Sequence, residues 1–212
     1  MDAIDAAEAI REAVAEEAAS HAVDDAFRNR AALVIAILAA LLAISSLGGD
    51  NAGEDLVTAN IRASDTWAFF QAKNLRQTAN ELAAAQIDAQ LITGGAALST
   101  ADRGRLERTA AEFRATAARY EDEPDPAAPN DSLRGDGKRQ LSAQARSWEA
   151  LRDRAGEQDM NFDYSAVLFQ IAIVLGSVAI LATSRRTLTF AIVLGALGTL
   201  LMINGFLLLV PL

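Results

Sequence analysis

Hydrophobic positions in this chain follow two patterns: unbroken blocks and helical stripes. The run AALVIAILAALLAISSL, from Ala31 to Leu47, holds no charge over 17 residues. At about 1.5 Å per residue it makes roughly 25 Å of helix, enough to cross the hydrocarbon of a bilayer with little tilt. A second uncharged block covers residues 164–184 and a third residues 187–211, with only Arg185 and Arg186 between them. These blocks predict three transmembrane helices, the last two joined as a hairpin through a tight Arg-Arg turn.

The stripes lie outside the blocks. From Glu54 to Leu91 the positions Val57, Ile61, Ser64, Ala68, Gln71, Leu75, Thr78, Leu82, Ala85 and Ala89 step by four and three, a coiled-coil seam of about five heptads. Leu56, Asn60, Ala63, Trp67, Phe70 and Asn74 make a second seam one position over, so this helix is expected to need two partners. TGGAA, residues 93–97, predicts a turn, and Ser99 followed by Asp102 resembles a capping box that restarts the helix. Leu106, Ala110, Phe113, Ala117 and Tyr120 then form the apolar face of a returning helix, and Leu141, Ala145, Trp148, Leu151 and Ala155 that of a third. The latter leads into the second span through Phe162 and Tyr164, expected at interfacial depth. Between these helices EDEPDPAAPNDSLRGDGK, rich in proline and acid, reads as an exposed loop.

Two features bound the first span. Residues 1–30 are rich in Ala and Glu and predict a helix running into the membrane, with Ile10, Val14, Val23 and Phe27 as a narrow apolar stripe suited to self-association. LGGDNAG, residues 47–53, predicts a break after the span. The expected fold class is therefore all-α, an integral membrane protein with three transmembrane helices and a helical-hairpin or coiled-coil extracytoplasmic domain. Its parts are an acidic helix over 1–30, spans at 31–47, 164–184 and 187–211, and a domain over 48–163. That domain has helices at about 54–91, 99–120 and 139–160 and a loop at 121–138.

Charge orients this plan. Arg28, Arg30, Arg185 and Arg186 flank one side of the spans, whereas Asp50, Glu54, Asp55, Glu157, Asp159 and Asp163 flank the other. The positive-inside rule places the N-terminus and the Arg-Arg turn in the cytoplasm, and residues 48–163 in the periplasm of a bacterial inner membrane. The first block does not read as a secretory signal, because the residues ahead of it are long and acidic where a signal is short and basic. A net charge of −9 argues against nucleic acid as a partner. Cysteine is absent, which excludes disulfides and thiolate chemistry.

Candidate chemistry is sparse. His21 with Asp24 and Asp25, and the acids Glu121, Asp122, Glu123 and Asp125, read as solvated surface, since the ligand spacing of a calcium loop is missing. No GxSxG, GxxxxGK[ST] or HExxH occurs, so an enzyme is not expected, and no cofactor or metal. Asn60, Ser64, Trp67, Phe70, Gln71 and Asn74 are the interface candidates: polar residues on a seam set register and oligomer number, and the aromatics supply area. Lys73 and Arg76 fall off both seams and are expected to be solvated or to pair with acids. Within the membrane, Gln170 and Asn204 are expected level with each other and able to hydrogen-bond across the hairpin, with Gly176, Ser177, Gly195 and Gly198 allowing close approach.

IRASDTWAFFQAKNLRQ, after a span of this kind and an acidic Ala-rich helix, resembles a bacterial family catalogued only as domain of unknown function 4337. In that family a [ST]-x-x-W-x-[YF]-[YF]-Q-A-K-like segment follows the first span and a hydrophobic hairpin closes the chain. Ser64, Trp67, Phe69, Phe70, Gln71, Ala72 and Lys73 match it, with Phe where Tyr is often found. The resemblance implies membership and no activity. The expected role is a non-enzymatic oligomeric scaffold or accessory subunit of a larger inner-membrane complex. Its partners would be the lipid bilayer, further copies of the chain and other membrane subunits. The alternative is a homo-oligomeric channel or transport component with a polar lumen.

Overall fold

A computed structural model describes residues 3–211, with side chains described for Arg11 and from Asp24 onward. The chain is all-α, 87% helical, with no strand among the described residues; an isolated bridge joins Pro124 and Gly135. Four α-helices follow in order: α1 (Ala3–Gly94), α2 (Thr100–Glu121), α3 (Lys138–Leu181) and α4 (Arg185–Leu207), with a 3₁₀ turn at Gly95–Ala97 after α1. Three of them, α1, α3 and α4, contain stretches long and apolar enough to cross a membrane. The chain divides into two compact units, Met1–Glu54 with Ala155–Leu212, and Asp55–Arg154.

The first unit contains parts of α1 and α3 and all of α4, and it is apolar outside and finely packed within. Leu33, Leu47, Val174, Phe190 and Leu200 are all more than 60% exposed, whereas Ala31, Ala172, Ala179 and Ala191 are wholly buried. Large aliphatic groups outward and small ones inward is the arrangement of helices whose solvent is lipid, where close backbone approach replaces hydrophobic expulsion. The core gathers Leu38, Ala52, Phe162, Phe169, Ala172 and Met202.

Phe162 explains why the break expected at LGGDNAG is not formed. α1 continues through residues 47–53 as helix, although each glycine costs a helix about 1 kcal/mol relative to alanine. The Phe162 ring occupies the space that a side chain at residue 48 would need: a Cβ on Gly48 would come within 2.7 Å of it. A Cβ on Gly205 would come within 2.9 Å, so the ring lies against two glycines and also meets Phe206 edge-on at 4.8 Å between centroids. These glycines serve packing rather than a turn. Phe162 is thus a core residue, only 3% exposed, while Tyr164 stands exposed. The α3–α4 turn is made by Ala182, Thr183 and Ser184, with Thr183 left-handed at φ 47°. Arg185 already belongs to α4, whose N-terminus Ser184 caps by accepting from the Thr187 N–H. Helix α4 ends at Leu207, short of residue 211, because Leu208 adopts a left-handed cap.

The second unit contains the remainder of α1, all of α2 and the start of α3. Ser99 accepts from the Asp102 N–H and starts α2, and Ala110 and Ala117 are buried on the expected face. From α3, Leu141 and Ala145 are buried, but Leu151 is 51% exposed; Trp148 and Arg152 are half-buried instead. The segment between α2 and α3 is a loop, as its composition predicts, and a tied one. The Asp136 N–H donates to the Glu123 carbonyl at 3.0 Å, and Asp125 and Asp131 each accept from a backbone N–H two residues on. Gly135 takes φ +115° beside the Glu123 and Pro124 backbone, a conformation closed to other residues at little cost.

Candidate functional site

The second unit's share of α1 has two faces of opposite character. The covered face runs through Ala59, Ala63, Phe70, Lys73 and Ala84, of which all but the half-buried Phe70 are buried. The seam that begins at Val57 is offset from it by two residues, about 200° around a helix of 3.6 residues per turn. Every position of that seam from Val57 to Ala89 is exposed, with Val57 at 58%, Ile61 at 54%, Leu75 at 75% and Leu82 at 58%. Of the candidate polar residues, Ser64 and Gln71 lie on this uncovered seam, and Asn60 and Asn74, also exposed, border it.

Trp67 and Phe70 do not belong to the uncovered face. Both are half-buried and meet edge-on at 5.4 Å, and the Trp67 indole N–H donates to the Glu149 carboxylate at 2.9 Å. The Lys138 ammonium lies 5.7 Å from the Phe70 ring centroid and donates to Gln77 and Glu121. These two aromatics are therefore committed within the chain.

Lys73, expected to be solvated or paired with an acid, takes the second course and is buried at 6% exposure. Its ammonium donates to the Glu123 carboxylate at 2.8 Å and faces the rings of Phe69 and Tyr120 at 5.9 and 5.6 Å. The family-like segment 64–77 thus carries the anchor of the loop between α2 and α3. Lys73 continues the three-and-four spacing of Ala59, Ala63 and Phe70, and that register, not its charge, places it on the covered face. The other acids of the loop are also engaged. Glu121 pairs with Lys138, Asp122 with Arg139 and Gln140, and Asp125 with the Ala127 N–H.

In the first unit, Asn204 does not pair with Gln170. Its amide N–H₂ donates to Asn161 Oδ1 at 2.8 Å and to the Val210 carbonyl, and its carbonyl accepts from the Val210 N–H. Asn161 and Gln170 are nine residues apart, two and a half turns, so they project from opposite sides of α3, and Gln170 is exposed. A second buried polar contact joins α1 to α3, where Ser45 Oγ donates to the Phe162 carbonyl at 3.1 Å and sits 3.0 Å from Ser165 Oγ.

Asp50, Asp159 and Asp163 line one cleft with Gln170. Burial, and secondly the neighbouring Asp163 carboxylate, push the Asp159 carboxyl above its usual range. Among the described residues, no group of three or more His, Cys, Asp or Glu side chains is placed to hold a metal ion. The His21 side chain and the stripe formed by Ile10, Val14 and Val23 lie outside the described residues.

The sequence profile of a family described as a domain of unknown function (DUF4337) matches residues 27–208. No curated protein and no solved structure matches the chain.

Proposed function

We propose that this chain, which belongs to the family of the domain of unknown function DUF4337, is a non-enzymatic oligomeric scaffold or accessory subunit of a larger inner-membrane complex. In this reading the N-terminus is cytoplasmic, residues 48–163 are periplasmic, and the contact surface is the seam of α1. What carries it is the run from Val57 to Ala89: mostly apolar and small residues held at a sustained three-and-four spacing, every one of them exposed. A stripe of that period fits another helix of the same pitch better than it fits water.

The favoured occupant is a second copy. Copies held in one bilayer meet in parallel, and a parallel, in-register pair sets Asn60 opposite Asp65 of the second copy and Glu81 opposite Gln86 of the second copy, with no like charges juxtaposed. Ser64, Gln71 and Thr78 then align across the contact and fix register at some cost in stability. Because the natural sequence has no cysteine, Leu75→Cys and Leu82→Cys each introduce a single thiol. Oxidation in native membranes is expected to cross-link both into dimers and to leave Arg76→Cys, one position off the seam, monomeric. A chain that extracts from its membrane as a monomer with no companion, and cross-links at none of these positions, sinks the proposal.

A second reading, a homo-oligomeric channel or transport component, draws on the shared exposure of Asn60, Ser64, Gln71 and Asn74. It requires flux across liposomes that changes when Gln71 or Asn74 is replaced by Leu; a scaffold gives no flux above empty liposomes.

A further inference from the structure

In the first unit the start of α4 meets α1 at a groove of about 500 Å³ lined by Phe27, Arg30, Arg185, Leu188, Thr189 and Ile192. Its chemistry is divided. Arg30 is the last residue before the first uncharged block, and Arg185 opens α4 beside the third, so two guanidinium groups stand at the same edge of the apolar region. Leu188 and Ile192 follow about one and two turns into α4, leading from that edge into the apolar zone, and Phe27 closes the groove from α1. Among the described residues, neither arginine is in an ion pair, whereas Arg114, Arg119 and Arg139 of the second unit each meet a carboxylate. Asp24 and Asp25, which precede the groove on α1, are not part of its lining. The amino end of α4 adds its positive dipole at the same place.

We infer that this groove holds one anionic phospholipid, its phosphate between Arg30 and Arg185 and an acyl chain along Leu188, Ile192 and Phe27. Planar guanidinium groups suit a phosphate because each offers paired N–H donors, and basic pockets between transmembrane helices are where anionic headgroups are bound. The apolar wall selects lipid over free phosphate, which has no use for it. The inference rests on α1 and α4 crossing a bilayer and is independent of self-association through the α1 seam.

The test is native mass spectrometry of the full chain, delipidated in detergent and titrated with phosphatidylglycerol or phosphatidylcholine. The expected result is retention of one phosphatidylglycerol in preference to phosphatidylcholine, unchanged by excess inorganic phosphate. Arg30→Gln and Arg185→Gln are each expected to weaken it about fivefold, and Arg28→Gln and Arg186→Gln, which remove the same charge outside the groove, by less than about twofold. Equal losses in all four variants mean a diffuse basic belt and overturn the inference. Displacement by inorganic phosphate, or no preference between the two lipids, overturns it as well. Both groove arginines are exposed, and far-ultraviolet circular dichroism reports folding; should Arg185→Gln fail to fold, Arg30→Gln against Arg28→Gln decides alone.

Discussion

The two units of this chain are both built from helices, yet they close their interiors by different means. In the first, an aromatic ring lies against glycines, as Phe162 does against Gly48 and Gly205, and the buried polar groups are hydroxyls and amides bonded from helix to helix. In the second, alanines make the helix contacts and ionic groups hold the rim, with Lys73 on Glu123 and Lys138 on Glu121. The difference fits the reading proposed above, with the first unit in lipid and the second in water. Where the surroundings are as apolar as the core, burying an aliphatic group brings little advantage and cohesion depends on fit. Where the surroundings are water, alanine suffices to let helices approach, and long cationic side chains shield rings while keeping a charged partner.

The largest effect that tests this contrast is expected at Phe162. Phe162→Ala leaves space against both glycines and is expected to cost about 3–5 kcal/mol, measured by unfolding in mixed micelles. Gly205→Leu attacks the same contact from the other side and is expected to cost about 1–3 kcal/mol by overpacking. If both variants unfold like the parent, fit is not what closes the first unit.

A smaller loss is expected at Lys73. Lys73→Met keeps the stem and removes the ammonium, which leaves Glu123 with only the longer Arg119 contact at 3.7 Å and costs about 1 kcal/mol, since the carboxylate is partly solvated. A double-mutant cycle with Glu123→Gln is expected to return a coupling of about 0.5–1 kcal/mol, together with earlier proteolytic nicking of the loop between α2 and α3. No coupling would mean that packing alone holds the loop. Next in size is Asn204→Leu, expected to cost about 0.6 kcal/mol, the usual worth of a hydrogen bond between membrane helices.

The three apolar blocks and the seam from Val57 to Ala89 were readable in the sequence because each repeats one simple rule over many residues. What was not readable depended on a neighbour distant in sequence. Gly48 looks like a helix breaker until Phe162, more than a hundred residues later, is laid against it. Lys73 can be solvated or pair with an acid on its sequence alone, and only the fold brings Glu123 and the rings of Phe69 and Tyr120 to it. Asn204 is a polar group in an apolar block and needs a partner. Depth along the helix alone points to Gln170; the angle around the helix selects Asn161. Of the second stripe on α1, Leu56, Ala63, Trp67 and Phe70 are buried or half-buried and Asn60 and Asn74 are exposed, so Trp67 and Phe70, expected at an interface with another chain, pack within this one.

The smallest effect is one of pH, and it sharpens the contrast because it concerns a carboxylate of the first unit that, among the described residues, is in no ion pair. Asp159, outside the apolar blocks, has its carboxyl raised chiefly by desolvation and then by Asp163. The folded protein therefore holds that proton more tightly than the unfolded chain, whose carboxyl titrates near its ordinary pKa of about 3.9. Between those two values the folded state binds more protons, so stability falls as pH rises through the window and levels off above the raised value. Asp159→Asn is expected to be more stable than the parent near neutral pH, with the advantage shrinking as pH drops through the window. Asp163→Asn, which removes the second cause, should move the window toward lower pH. Melting curves of the three proteins between about pH 4 and 8 read this directly, and parallel curves would show that the Asp159 carboxyl is not held above its ordinary range.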